Sequence, residues 1–459
     1  MLKLFNTSTK KLENFKPINK KEVKVYTCGP TVYSTAHIGN LTSYIYWDLL
    51  VRTLIANGYK VDRIMNITDV GHLISDQDEG EDKIEKGARK ENMTVWDVAK
   101  KYTDRFISDF KSLNLIEPKK ICRATDYIEE NKALINILTE KGFTYETSDG
   151  IYFDTSKFPK YADFANLDIK GLKAGARVEF DKEKKNVSDF ALWKFIQPGE
   201  KHAMRWEYLD RPGYPGWHIE CSSIIHTELS ETIDIHTGGI DHIPIHHTNE
   251  IAQSESAYEK KLSNYWIHCD FITIDNQKIS KSLGNIYSIQ DLEEKGYSPL
   301  DFKTWALAGN YRLARNFDFE GLESARNRRK NWRNKIATTY QITSVEKDRS
   351  AQVFSENETK QKILEALNNN LNSASAFAII DQIPDFATIE IWKYIDSLFG
   401  LGLLNSSKDI TKAQKELITE REQARKEKNW QKSDEIRTEL EKNGITINDT
   451  NTGPIWQYL

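Results

Sequence analysis

Two lysines stand three apart in Lys278-Ile279-Ser280-Lys281-Ser282, with hydroxyls among them and Leu283-Gly284-Asn285 following. These residue types suit a mobile loop gripping a triphosphate. An ordinary exposed loop fits the isolated pentapeptide as well. A second candidate is His37-Ile38-Gly39-Asn40. Gly39 would let backbone approach a ligand, and a helix beginning there would aim free N–H groups and a positive dipole at it. A histidine just ahead can donate to a phosphate oxygen as charge builds on it; alone, it reads equally as a surface residue. His246 and Glu250 are four apart, so a helix would put both on one face, within reach of one metal ion. Cys28 and Cys221 can supply thiolates. Two thiolates, one imidazole and one carboxylate make a workable zinc set. Each cysteine alone also fits a buried apolar position, the reading given to Cys122 and Cys269.

These residues need elements to position them. Val23, Val25 and Thr27 alternate with Lys24 and Tyr26 as in a strand, which Gly29 and Pro30 break. A helix is expected from about Leu41 to Asn57, with Gly58 as its stop, then a strand from Val61 to Asn66. This is the opening unit of a parallel α/β sheet. From Ile121 to Arg211, short aromatic pieces alternate with charged turns, the texture of an insertion. Sheet signals resume after Tyr214, at Ile233 and Ile235, Tyr265-Trp266-Ile267 and Phe271-Ile272-Thr273-Ile274. Residues 290–340 read as helical, with a basic cluster at Arg326, Arg328, Arg329, Lys330, Arg333 and Lys335. By composition that cluster is a solvated helix face. Residues 342–360 read as a linker, and Leu364 to Leu403 as amphipathic helix. In the final unit, Lys412 to Leu459, two charged helices precede a short strand at Ile445 and Ile447. The second helix starts near Trp430 and stops before Gly444.

At 459 residues, two to four domains are expected. Hydrophobic content of 39% and charged content of 29% are those of a soluble protein, and no run of about 18 apolar residues predicts a membrane span. A net charge of −4 argues against a uniformly basic nucleic-acid coat but permits a local patch. Four cysteines in so long a chain do not make a disulfide framework. Met1-Leu2-Lys3-Leu4-Phe5-Asn6 has no apolar signal core, so a cytoplasmic protein is expected.

Six stretches, in order, resemble the cysteinyl-tRNA synthetases, a class I synthetase family. They are Tyr26-Thr27-Cys28-Gly29-Pro30-Thr31-Val32-Tyr33, His37-Ile38-Gly39-Asn40, Asn66-Ile67-Thr68-Asp69, Gly216-Trp217-His218-Ile219-Glu220-Cys221, His246-His247-Thr248-Asn249-Glu250 and Lys278-Ile279-Ser280-Lys281-Ser282. The tail from Ala424 through Trp430 and Asp434 to Arg437 is similar to that family's anticodon-binding end. The resemblance covers nearly the whole chain.

It implies an α/β fold: a Rossmann-type class I catalytic domain with an insertion, then an α-helical bundle and a small anticodon-binding domain. The catalytic halves fall at residues 1–120 and 213–265 around an insertion at 121–212. A stem-contact region with the lysine loop follows at 266–325, the bundle at 326–407 and the anticodon-binding domain at 408–459. The implied activity joins L-cysteine to ATP as cysteinyl-adenylate and passes it to the 3′ end of tRNA(Cys). One zinc ion per chain, on Cys28, Cys221, His246 and Glu250, would select the thiolate. ATP with Mg2+ would be handled by His37, Gly39, Asn40, Lys278 and Lys281, with His37 and Lys281 catalytic. Thr68, Trp217 and His236 fall at or beside the amino-acid pocket. For tRNA, Trp430 would stack on an anticodon base, Arg425 and Asp434 would read base edges, and the Arg326–Lys335 cluster becomes a candidate phosphate contact. A monomer is expected.

The chain departs from the family pattern at Asn40, Thr42, Thr248, Ile279, Asp69-Val70-Gly71-His72 and Leu209-Asp210-Arg211. Thr42 stands where an arginine is common, and Thr248 replaces a glutamate beside the ligands. A related ligase joining cysteine to an amino-sugar would not need the C-terminal unit. An inactive tRNA-binding paralogue is the other competing reading.

Overall fold

Five parallel strands form the central sheet of the computed structural model, which describes residues 1–71, 83–167, 183–200, 202–280, 284–341, 354–385, 387–450 and 453–459. Across the sheet they run Ser263–Cys269, Ile233–Gly239, Glu22–Thr27, Lys60–Ile67 and Lys120–Arg123. The last six residues of Lys60–Ile67 are buried without alternation, as expected of a strand covered on both faces. In chain order the sequence of strands is 5-4-1-2-3, the doubly wound arrangement, and its direction reverses between Glu22–Thr27 and Ile233–Gly239. Ligands of such sheets bind beyond the strand ends at that reversal. Cys28 is the first residue past Glu22–Thr27.

The helix Ile38–Ala56 follows and is buried over most of its surface. It packs against the sheet on one side and the helices Pro299–Leu307 and Ile389–Phe399 on the other, so its sequence is apolar almost all round. Gly58, at φ +85°, lies just beyond its end. The helix starts at Ile38 rather than Leu41 because His37 caps it.

The insertion is an antiparallel sheet in the order Thr144–Glu146, Gly150–Phe153, Phe190–Phe195, Arg211–Pro215 and Trp206–Tyr208. Backbone pairing therefore carries the parallel sheet through residue 123 and again to 269, and the inserted sheet through 215. Composition could not register these shared edges.

Two helical expectations change. Residues 290–340 comprise the helices Ile289–Glu294, Pro299–Leu307 and Phe319–Ala337, with the strand Arg315–Phe317 pairing alongside Ile272–Ile274. The single helix read over Leu364 to Leu403 is three: Glu356–Asn368, Ser373–Asp381 and Ile389–Phe399. Asn370 and Leu371 interrupt it with φ of 59° and 57°. The basic cluster is largely consumed in holding these helices. Buried Arg329 donates to Leu401 O at 3.1 Å and pairs with Asp301, Arg333 donates to Ser406 O at 2.9 Å, and Lys335 donates to Asp381 O and Ile383 O. These cations satisfy loop carbonyls that would otherwise lack partners, and the phosphate-contact expectation loses most of its residues.

The helices Lys412–Lys426 and Trp430–Lys442 pack on the hairpin of Ile445–Thr450 and Gly453–Tyr458 around Ile418, Ile436, Leu440, Ile447 and Trp456. Among the described residues, no helix is long and apolar enough to cross a membrane.

Candidate active site and metal centre

Four separate segments deliver the metal-type donors. Cys28 comes from the end of Glu22–Thr27, and Cys221 from the second turn of the helix Trp217–Glu228. A π-helical turn at Ile243–His247 carries His246, and the helix Thr248–Tyr258 carries Glu250. One ligand atom from each of Cys28, Cys221, His246 and Glu250 lies within 4.8 Å of all the others. All four residues are buried. His246 Nε2 is 3.0 Å from Glu250 Oε1. Among the described residues, the ion partners of Glu250 are histidines, with no lysine or arginine. A buried carboxylate beside two buried thiols calls for a cation, and this mixed sulfur, nitrogen and oxygen set fits zinc.

Protonation within the set follows from packing. Burial pushes the Cys28 thiol well up. Burial also works against a Cys221 thiolate, but hydrogen bonds from Cys28 and His246 hold it at about 6. It opposes charge on His246 too, yet the charges of Glu250 and Cys221 lift that ring to about 10. Glu250 lies far below the ordinary carboxylate range, because His236 and His246 outweigh its desolvation.

His236 joins this set through Glu250. Its Nε2 is 2.8 Å from Glu250 Oε2, and its ring stacks on Trp266 at 4.4 Å. A partner of this kind orients a ligating carboxylate. His236 and His247 also form a second close group with Cys28 and Glu250. His247 was not among the expected site residues; its place beside His246 was the one available signal.

The nucleotide motifs meet where the signature helix begins. His37 is its N-cap: Nδ1 accepts from Asn40 N at 3.3 Å, and Asn40 Oδ1 accepts from His37 N at 3.2 Å. Asn40 thus closes a capping box. Because Nδ1 accepts, the proton of a neutral His37 ring sits on Nε2. A Cβ on Gly39 would lie 2.7 Å from Ile279 Cδ1, so the glycine admits the lysine motif against the helix start. Asn285 brackets that loop, receiving Ser280 N at 2.9 Å and donating to Lys278 O at 3.2 Å. Lys278 is exposed; Lys281 lies outside the described residues. A cleft of about 580 Å³ opens beside His37, lined by Lys101, Arg105, Ser288 and Gln290. Thr42 is buried, its hydroxyl donating to Ile38 O at 2.8 Å; Thr248 likewise donates to Ile243 O at 2.7 Å. Both departures are absorbed by local backbone.

Trp217 stacks on His246 at 4.5 Å. Thr68 is buried, accepting from Asn66 Nδ2 at 3.1 Å and donating to Glu220 Oε2 at 3.1 Å. Gly29 holds the neighbouring loop: a Cβ there would fall 1.6 Å from Asn66 O. Glu220 was not singled out from sequence, although it directly precedes Cys221.

At the far end of the chain, Trp430 is 58% exposed while Ile436 is buried, so Trp430 is not a core residue. Exposed Asp434 lies one turn further along the same helix face. Arg425 pairs with Asp449, which also receives Arg421 at 2.8 and 2.9 Å and Arg437 at 3.4 Å. Three arginines meeting one carboxylate, spread from residue 421 to 449, left no local signature.

Residues 14–327 match the model of the tRNA synthetase class I (C) catalytic domain, and residues 407–456 match that of the cysteinyl-tRNA ligase anticodon binding domain. A protein of Treponema denticola named cysteine--tRNA ligase is 40% identical over 490 residues, covering all of both chains. One of Burkholderia lata, cysteine--tRNA ligase 1, is 40% identical over 98% of this chain and 96% of its own. Among solved structures, methionyl-tRNA synthetase of Mycobacterium tuberculosis with methionyl-adenylate superposes with a TM-score of 0.58 at 13% identity, over 84% of this chain and 89% of that one, a likeness of fold. The catalytic and anticodon-binding matches, with full-length relatives at this identity, establish that the chain belongs to the cysteinyl-tRNA ligase family, with a class I synthetase catalytic domain.

Proposed function

We propose that this chain is a cysteine--tRNA ligase acting on L-cysteine, ATP and tRNA(Cys) in the cytoplasm as a monomer. The observation that carries the reading is the convergence of Cys28, Cys221, His246 and Glu250 at the reversal point of the parallel sheet. In the first step a cysteine carboxylate oxygen attacks the α-phosphorus of ATP, the bond to the β-phosphate oxygen breaks, and pyrophosphate leaves. In the second, a terminal ribose hydroxyl of the tRNA attacks the activated carbonyl and AMP leaves.

His37, its Nδ1 committed to Asn40, would donate from Nε2 to a phosphate oxygen as charge grows there. Gly39 would offer its backbone N–H at the positive end of the helix, and Lys278 and Lys281 would close on the phosphates with Mg2+. Zinc held by Cys28, Cys221, His246 and Glu250 would supply a Lewis acid that favours a thiolate over a hydroxyl. Trp217 and Thr68 would flank the amino acid. A purely size-based pocket separates near-isosteres only about 100-fold, whereas a dedicated polar contact gives about 10⁴ or more, so no editing domain is required against serine. Trp430, with Arg425 and Asp434, would contact the anticodon.

The matched anticodon-binding domain at residues 407–456 weighs against an amino-sugar acceptor, and the full-length relatives named cysteine--tRNA ligase weigh against an inactive paralogue. Cysteine-dependent ATP–pyrophosphate exchange is the test, repeated after chelation. Exchange is expected with cysteine, lost on metal removal, and negligible with serine. Serine activation near that of cysteine, or exchange untouched by full metal removal, would refute the reading.

A further inference from the structure

A hydrogen-bond relay joins the two residues next to the two thiols. Gly29, which follows Cys28, donates its N–H to Asn66 Oδ1 at 2.7 Å. A backbone N–H can only donate, so it fixes which way the Asn66 amide points. Asn66 Nδ2 must then face Thr68, and it does, at 3.1 Å. An amide nitrogen cannot accept, so Thr68 Oγ1 is the acceptor there. The single hydroxyl proton of Thr68 is left for Glu220 Oε2 at 3.1 Å. Glu220 directly precedes Cys221, and its side chain is fully buried. Its other oxygen, Oε1, has no hydrogen-bond partner among the described residues. It lies beside Gly71, where a Cβ would sit 3.6 Å away.

Thr68 therefore has its proton pointed at Glu220 and only a lone pair left to offer. A buried acceptor without a partner is costly. The group that satisfies a lone pair and an unpartnered carboxyl oxygen together carries several N–H donors, as an ammonium does. In cysteine the ammonium nitrogen is three bonds from sulfur, so a thiol held between Cys28 and Cys221 places the ammonium near their neighbours in this relay.

We infer that Glu220 is a positioning residue for the α-ammonium of the amino-acid substrate: it takes the Thr68 hydroxyl proton and so leaves Thr68 an acceptor for the ammonium. This rests on the functional reading above. The relay accepts thiols that carry an adjacent amine and penalises those that do not. Glu220 thereby adds an amine requirement to the sulfur preference of the metal.

The experiment compares two competitors of cysteine in ATP–pyrophosphate exchange by the full-length, metal-loaded protein. Cysteamine keeps the thiol and amine; 3-mercaptopropionate keeps the thiol and carboxylate. In Glu220→Gln, cysteamine inhibition should weaken about 10- to 100-fold, the scale of a lost charge-assisted hydrogen bond, while 3-mercaptopropionate changes by less than about 3-fold. The KM for cysteine should rise with kcat nearly unchanged. Thr68→Val should reproduce the pattern and Thr68→Ser should not, which keeps the test open if Glu220→Gln fails to fold. Metal per chain, measured by atomic absorption, should match the unaltered protein. Equal weakening of both thiols would make Glu220 a mere support for Cys221, and no change in either would remove its role; both overturn the inference. If the unaltered chain does not activate cysteine at all, the functional reading falls and takes this one with it.

Discussion

Replacing Lys303 with methionine tests how the signature helix is anchored. Lys303 Nζ lies 2.8 Å from Asp48 Oδ2, with side-chain exposures of 0% and 1%. Asp48, on the helix Ile38–Ala56, also accepts from Arg52 Nε at 2.7 Å and Ile116 N at 2.8 Å. Arg52 reaches Ser397 O at 3.0 Å in the helix Ile389–Phe399, so this cluster ties the helix capped by His37 to the bundle. At 2.8 Å and an effective dielectric of about 20, the Asp48–Lys303 attraction is about 6 kcal/mol. Desolvation costs several kcal/mol per ion, so the intact pair adds little net stability. Removing the Asp48 charge leaves the buried Lys303 ammonium without its counter-charge, at about 3–5 kcal/mol, whereas removing Lys303 leaves Asp48 its bonds to Arg52 and Ile116 and costs less. Asp48→Asn should approach that cost and Lys303→Met should fall below it, while the double variant should fall short of their sum by about 2 kcal/mol. Urea unfolding followed by circular dichroism at neutral pH measures all three. Losses adding within about 0.5 kcal/mol would show that the two charges do not depend on each other, and the anchoring argument would fail.

Lys281→Ala should slow ATP–pyrophosphate exchange about 100-fold, roughly 3 kcal/mol of transition-state stabilisation; unchanged exchange would remove its proposed role. Trp430→Ala should leave exchange intact but raise the KM for tRNA in the charging assay, and an equal loss in both would point to misfolding instead. His226 packs on Tyr258 with a centroid distance of 3.9 Å, neither ring nitrogen has a hydrogen-bond partner among the described residues, and burial, opposed by Glu231, lowers its pKa to about 4. The unfolded chain binds a proton near 6.5 that the folded chain refuses until about 4, so stability is lost as pH falls through that window. His226→Phe should flatten that slope by about one proton, which urea titrations at pH 4.5 and 7 would detect; an unaltered slope would refute the assignment.

The motif order alone determined the family and the class of fold, and it named Cys28, Cys221, His246 and Glu250, whose ligand atoms the structure brings within 4.8 Å of one another. It also placed the helix stop at Gly58 and the two C-terminal helices, where glycine and apolar spacing act within one turn. What only tertiary structure decided are pairings between residues far apart in the chain. The helix read over Leu364 to Leu403 is three, the first break falling where Asn370 and Leu371 turn left-handed, and the structure binds Asn370 on both sides: its N–H donates to Lys3 O at 2.9 Å and its Oδ1 accepts from Phe5 N at 2.8 Å. Arg329, Arg333 and Lys335 look like a solvated face until their carbonyl partners, more than forty residues away, are in view. The contact of His236 with Glu250 and the place of Glu220 became visible for the same reason. Local propensity is set by neighbours within a few residues. The direction of a buried side chain is set by which distant atoms can satisfy it, and that is known only once the strands have been ordered.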